Sequence, residues 1–210
     1  MLRFRYRAPL KTGKIGLLPG AFNPPTLAHT AVAREARLQY GLDQVVFLLP
    51  EVFPHKGYEG ASFEDRLGML RSVAGGEEGF AVASSDRGLF IDIARQAREM
   101  SGPKAEIYLI CGRDAAERIV GWDYGEGPSF AERLEEFQLL VASRGSEYTV
   151  PAAYEDRIHG VKLADSLETI SSTSIRAAVA AGKPFRAWVD ERVADEIERR
   201  GLYRGSSNRE

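Results

Sequence analysis

The chain has 210 residues, of which 44% are hydrophobic, enough apolar surface for one compact core. Its net charge of -2 and pI near 6.0 argue against a nucleic-acid partner. The single cysteine, Cys111, excludes an internal disulfide framework and a cysteine metal cluster, and no run approaches a membrane span or a signal-peptide core, so a cytoplasmic protein without a membrane partner is expected.

Arg3, Arg5 and Arg7 make the first residues locally basic, and a solvated terminus is predicted there. Ile15 to Leu18 is a short apolar run that predicts a buried strand and breaks at Pro19-Gly20. An amphipathic helix is predicted over Leu27 to Tyr40, with Ala31, Val32, Ala36 and Leu38 set among Arg34, Glu35 and Arg37, and Gly41 as its stop. Gln44 to Leu49, closed by Pro50, predicts the second strand, and Ala61 to Val73 returns to helical spacing. Phe80 to Ala83, a helix over Leu89 to Met100, then Ala105 to Cys111 and Phe137 to Ala142 continue the alternation. Such a pattern predicts an α/β chain whose parallel sheet is covered on both faces and joined by right-handed crossovers. Beyond Gly145, Ile158 to Leu163 is a candidate strand, Ser172 to Ala181 a helix ended by Gly182-Lys183-Pro184, and Asp190 to Arg200 a last helix stopped by Gly201. Together they make a small C-terminal helical extension of a single domain spanning residues 1–210, with its core at about 14–203.

Two stretches carry chemistry. From Lys14 to His29 the chain is a strand, a tight turn and a helix start, which places backbone N–H groups and the positive end of a helix at the carboxyl edge of the sheet, where anions bind. Thr26 suits the N-cap, Pro24 and Pro25 fix the approach, Gly20 allows close contact with a ligand, and His29 shares a helix face with Thr26. Taken alone, the stretch also suits an ordinary turn with a solvated histidine. Ile170-Ser-Ser-Thr-Ser-Ile-Arg176 opens a second helix with hydroxyl residues, and Thr173 and Arg176 repeat the same spacing. Hydroxyls there serve as caps, but with a guanidinium beside them they form a clamp suited to a polyphosphate.

Gly20-Ala-Phe-Asn-Pro-Pro-Thr-Leu-Ala-His29 resembles the (H/T)-x-G-H signature of the nucleotidyltransferases, and ISSTSIR is similar to their second signature, ISSTxIR. Pro54-His55-Lys56, Ala61-Ser62, Arg66 to Leu70, Gly112-Arg-Asp114 with Trp122, Arg144-Gly145 and Gly201-Leu-Tyr203 look like segments of the nicotinate or nicotinamide mononucleotide adenylyltransferases. The resemblance runs from Lys14 to Tyr203. It implies a Rossmann-like, doubly wound sheet and adenylyl transfer from ATP to a pyridine mononucleotide in NAD biosynthesis, with Mg²⁺ and release of pyrophosphate.

The same resemblance assigns roles. Gly20, Ala21 and Phe22 would surround the triphosphate with backbone, while Thr26 and His29 bind its oxygens and His29 stabilises the transition state at the α-phosphorus. Ser172, Thr173 and Arg176 would hold the departing pyrophosphate, and Gly112 and Asp114 would belong to the nucleotide site. Lys56 would hold the mononucleotide phosphate, Trp122 would stack on the pyridine ring, and Phe90 would line its pocket. Outside the resemblance, Asp114 suits a helix cap, Trp122 a core position, and both Cys111 and His159 structural places.

Three departures stand out. Thr26 replaces the first histidine of the signature, Pro19-Gly20-Ala21 replaces Gly-Gly-Thr or Gly-Gly-Ser, and Gly88-Leu89-Phe90-Ile91-Asp92 replaces a Ser-Tyr-Thr-like segment of the bacterial nicotinate enzymes. The Pro-Gly pairing is similar to that of the phosphopantetheine adenylyltransferases. Polar pocket residues have become apolar, and burying a nicotinate carboxylate there without donors costs several kcal/mol, unless backbone N–H groups bind it. Two alternatives therefore stand beside the first reading: another phosphorylated acceptor such as phosphopantetheine, or a non-catalytic nucleotide-binding protein. The presence of His29 together with the Ser172 to Arg176 clamp favours an enzyme, because binding alone needs no transition-state donor.

Overall fold

The computed structural model describes residues 1–8, 10, 12–51, 60–86, 90–125, 127–143, 148–164, 167 and 169–204. Seven strands, β1 (Leu2–Tyr6), β2 (Gly13–Pro19), β3 (Gln44–Pro50), β4 (Phe80–Ser85), β5 (Ala105–Gly112), β6 (Gln138–Ala142) and β7 (Ile158–Val161), form one sheet in the order β1-β4-β3-β2-β5-β6-β7. Every neighbouring pair is parallel except β1 with β4. The helices are α1 (Leu27–Tyr40), α2 (Phe63–Gly75), α3 (Phe90–Ser101), α4 (Arg113–Val120), α5 (Phe130–Leu134), α6 (Ser172–Ala180) and α7 (Glu191–Arg200). Among the described residues, no helix is long and apolar enough to cross a membrane.

Strand composition explains the layering. All seven residues of β3 are buried, as a strand covered on both faces requires. Alternate residues enter opposite cores: Val45, Phe47 and Leu49 join α1, α2, α6 and α7, while Val46 and Leu48 join α3, α4 and α5. The chain winds outward from β2 through β3 to β4, then returns to the far side of β2 for β5. That reversal makes the carboxyl ends of β2 and β5 the switch point, where open α/β sheets bind ligands.

The amino terminus differs from the expectation of a solvated basic run. Leu2 is buried and Phe4 and Tyr6 are half-buried, so the alternation of LRFRY pairs β1 antiparallel with β4. Its arginines have partners: Arg5 Nη2 lies 3.0 Å from Glu51 Oε1, Arg5 Nε 2.9 Å from Ser84 Oγ, and Arg7 Nη1 donates to the Phe80 carbonyl at 2.8 Å. The Ser84 hydroxyl, then the guanidinium groups of Arg5 and Arg3, hold the Glu51 carboxyl below the usual carboxylate range despite its burial. Helix α4 follows Gly112 where Asp114 suggested a helix start, whereas α5 is not anticipated from the sequence. Helix α5 has only five residues and is defined by a capping box in which Ser129 Oγ accepts from Glu132 N at 3.3 Å and Glu132 Oε2 accepts from Ser129 N at 2.7 Å.

The last helix packs against α2 through a shared cluster containing Leu70, Val193 and Ile197, and Arg200 Nη1 sits 2.5 Å from Asp65 Oδ1. Its capping glycine, Gly201, is left-handed at φ 62°.

Gly16, at the middle of β2, sets how closely the sheet and its covering residues approach. A Cβ at this position would lie 2.8 Å from Leu42 Cδ1 and 2.9 Å from Ile110 Cδ1. Gly16→Val is expected to destabilise the fold by roughly 1–3 kcal/mol through overpacking. Urea denaturation measures this, and an unchanged midpoint would contradict the packing described.

Candidate functional site

The strand β2 ends in a turn whose N–H at Gly20 donates to the Leu48 carbonyl at 3.1 Å. Thr26 then caps α1 with extended backbone angles, and its Oγ1 accepts from the His29 N–H at 3.3 Å. The reciprocal bond is unusual in its donor set. His29 Nδ1 accepts from the Thr26 N–H at 3.0 Å and lies 2.9 Å from Thr26 Oγ1, so an imidazole fills the place of the glutamate in a capping box. A ring nitrogen that accepts a backbone N–H carries no proton, which assigns the proton of the neutral ring to Nε2. The local fold thus fixes both the orientation of His29 and its tautomer.

Phe22 supports this arrangement from below. Its ring is 1% exposed and packs edge-on against His29 at 5.2 Å and against Phe47 at 5.6 Å. Phe22 itself is left-handed at φ 46°. Gly20 is required because a Cβ there would lie 2.8 Å from Phe22 Cζ.

The second helix start is bonded directly to the first. Arg176 Nη1 donates to the Asn23 carbonyl at 2.8 Å, and Ser172 Oγ donates to the Pro24 carbonyl at 2.8 Å. Ser171 caps α6, accepting from the Ser174 N–H at 3.0 Å. In the first turns of α1 and α6, Leu27, Ala28, Ser172 and Thr173 carry N–H groups that have no intrahelical acceptor. The two positive helix ends therefore converge on one edge of the sheet. Three residues that lie in the family-like segments but have no role assigned from sequence hold the intervening loop: Asn23 itself, Arg66, whose Nη1 donates to the Ala21 carbonyl at 3.0 Å, and Tyr203, whose hydroxyl donates to Asn23 Oδ1 at 2.7 Å. Their ties run to backbone or across the whole chain, and no local pattern encodes them.

Across the switch point, the β2–β5 register of Leu17 beside Leu109 brings Gly112 to the same edge as Gly20. Gly112 precedes α4 and has open space where a Cβ would be, and Asp114 lies exposed in the first turn of that helix. Gly112, not Asp114, occupies the N-cap position. Phe90 and Trp122 line one cavity of about 340 Å³, along with Tyr124, Phe130, Arg118 and Arg133. Trp122 is 66% exposed, so it is not a core residue. A larger groove of about 890 Å³ beside α6 and α7 contains none of these residues. Cys111 is buried and burial pushes its thiol up to about 12, while His159 lies on β7 with Nε2 2.8 Å from Gln138 Oε1 and is held below its ordinary value by burial. Lys56, with Pro54 and His55, lies outside the described residues, as do Gly88, Leu89, Arg144 and Gly145.

Comparison with known proteins agrees with this geometry. Residues 17–178 match the cytidylyltransferase-like family model. The chain is 32% identical over 203 residues to a probable nicotinate-nucleotide adenylyltransferase of Gloeobacter violaceus, covering 90% of this chain and 96% of that protein. It is 33% identical over 196 residues to a probable nicotinate-nucleotide adenylyltransferase of Thermus thermophilus, covering 91% of this chain and 100% of the other. The Plasmodium falciparum nicotinic acid mononucleotide adenylyltransferase complexed with NaAD superposes with a TM-score of 0.70 at 16% identity, over 91% of this chain and 97% of that one, and shares the fold.

The tautomer of His29 can be read directly. Imidazole ¹⁵N chemical shifts near neutral pH are expected to show the neutral ring protonated at Nε2. A ring protonated at Nδ1 would contradict the reciprocal cap.

Proposed function

The chain belongs to the cytidylyltransferase-like family, and we propose that it transfers the adenylyl group of ATP to nicotinate mononucleotide, releasing pyrophosphate, in NAD biosynthesis. The observation that carries this reading is the convergence of the α1 and α6 starts, stitched together by Arg176 and Ser172. A single helix end suits one phosphate; two joined ends suit a triphosphate.

In the proposed reaction an oxygen of the mononucleotide phosphate attacks the α-phosphorus of ATP. The bond from that phosphorus to the α,β-bridging oxygen breaks, and pyrophosphate leaves. The protein contributes position and charge stabilisation, and no covalent nucleophile is required. Gly20, Ala21 and Phe22 line the triphosphate with backbone, and the free first-turn N–H groups of α1 point at its oxygens. Thr26 holds the imidazole of His29, whose Nε2–H donates to the α-phosphate as charge develops there. Thr173 and Arg176 act on the β- and γ-phosphates. Ser172 contributes its backbone N–H rather than its hydroxyl, because the hydroxyl proton is given to Pro24. Gly112 and Asp114 take the nucleoside side of ATP.

Mg²⁺ fits this donor set as a companion of ATP. Among the described residues no three His, Cys, Asp or Glu side chains group together, so phosphate oxygens and water would ligate the ion, which neutralises phosphate charge.

Lys56 is assigned to the phosphate of the mononucleotide, and the cavity holding Phe90 and Trp122 to the pyridine ring. Its aromatic walls suit a flat ring. Two arginines, Arg118 and Arg133, line the cavity with one carboxylate, Asp123, which already accepts from the Gly125 N–H at 2.9 Å. That positive balance suits the carboxylate of nicotinate better than a neutral amide, and it compensates for the apolar residues around Phe90.

Pyrophosphate release from ATP tests the reading with nicotinate mononucleotide, nicotinamide mononucleotide and phosphopantetheine as acceptors. Turnover highest with nicotinate mononucleotide is expected, and release with none of the three would overturn the activity. His29→Ala is expected to lower kcat about 10²- to 10³-fold, the scale of losing a preorganised donor, with the melting curve preserved. Normal turnover would remove His29 from its role. Trp122→Ala is expected to raise KM for the mononucleotide while leaving KM for ATP unchanged, and steady-state kinetics with each substrate varied separates the two; an effect on ATP alone would misassign the cavity.

A further inference from the structure

We infer that Tyr203, in the turn after α7, is a positioning residue that holds the phosphate loop in its working shape; the inference rests on the adenylyl-transfer reading above. The loop from Ala21 to Pro24 makes few backbone bonds of its own. Its carbonyls are taken up instead by side chains from distant elements: Ala21 by Arg66 of α2, Asn23 by Arg176 of α6 and Pro24 by Ser172 of α6. The Asn23 side chain is the remaining handle, and Tyr203 takes its Oδ1 with a hydrogen bond of 2.7 Å. Both partners are buried, with Asn23 and Tyr203 each 6% exposed, so the bond is shielded from exchange with water.

The consequence is geometric. In a planar trans peptide the C=O and N–H point in opposite directions. Drawing the Ala21 carbonyl toward Arg66 therefore turns the Phe22 N–H the other way, and among the described residues nothing accepts it. Tyr203 bonds the same loop whose carbonyls the guanidinium groups of Arg66 and Arg176 hold. Arg176 and Arg66 act electrostatically on its phenol, whose titration burial pushes well above the usual range. The Tyr203 bond to the Asn23 side chain thus adds a further tie to a loop whose carbonyls Arg66 and Arg176 already hold.

The local chain is shaped for this contact. Gly201 is left-handed, Leu202 N donates back to the Ile197 carbonyl at 3.0 Å, and Tyr203 itself is left-handed at φ 61°, which folds the ring back toward the sheet edge. On its other side the ring presses on Gly60, where a Cβ would lie 2.7 Å from Tyr203 Cδ1 and the backbone is already left-handed at φ 88°. Tyr203 accordingly touches the phosphate loop and the segment leading into α2, where Arg66 sits.

Tyr203→Phe removes the hydroxyl and keeps the ring. ATP and inorganic pyrophosphate are expected to bind about 10-fold more weakly by calorimetry, on the scale by which small misplacements cost rate and binding, with mononucleotide affinity unchanged. In turnover, kcat/KM for ATP should fall about as much while KM for the mononucleotide stays constant. Asn23→Leu should weaken ATP and pyrophosphate at least as much, and adding Tyr203→Phe to that variant should weaken them no further. Unchanged ATP and pyrophosphate affinity in Tyr203→Phe would overturn the inference, as would equal losses for both substrates, the mark of a purely structural residue. The binding arm needs no turnover, so a parent protein that binds pyrophosphate but transfers nothing would sink the proposed reaction and leave the role of Tyr203 measurable.

Discussion

Two helix N-termini of like partial charge meet at one point of this protein, and their juxtaposition is the constraint on which the rest depends. Each carries about half a positive charge, so bringing them together is unfavourable unless something offsets it. Here two hydrogen bonds do so, Arg176 to the Asn23 carbonyl and Ser172 to the Pro24 carbonyl, between residues 153 and 148 positions apart. The bonds also consume the carbonyls nearest the site. What remains facing outward is N–H and guanidinium, a surface whose electrostatic strain a polyanion relieves.

The sheet makes that meeting possible. With β2 at its centre, α1 starts at the switch point, while α6 returns from beyond the edge strand β7 to pack in the same core layer, where Ile175 and Ala178 share a cluster with Leu18 and Ala142. The other layer carries α3, α4 and α5 and forms the aromatic cavity with Phe90 and Trp122. In the proposed reaction, donor and acceptor thus draw on opposite faces of one sheet. His29 adds a local economy of its own: the bond that completes the α1 cap also selects which ring nitrogen is the donor.

Much of this was legible from sequence because parallel strands are continuous apolar runs and α1 and α7 have clear caps. The amino-terminal strand was not, since its three arginines mask the alternation of Leu2, Phe4 and Tyr6; their charge is absorbed by Glu51, Ser84 and backbone carbonyls that no local window contains. Thr26 and His29 were visible as a pair on one helix face, yet the reciprocal cap was hidden, because a histidine in the place of glutamate carries no pattern. Arg66, Asn23 and Tyr203 fell inside family-like segments, but their roles stayed hidden for a related reason. Their work is to hold carbonyls and one amide, and such contacts depend on the assembled fold.

The central claim is that the starts of α1 and α6 form one polyphosphate site. Titration of ¹⁵N-labelled protein with a non-hydrolysable ATP analogue tests it most directly, by following the backbone amides of Leu27, Ala28, Ser172 and Thr173. All four signals are expected to shift together, with one dissociation constant and saturation at one equivalent. A response confined to one helix start, or two responses with separate affinities, would contradict it.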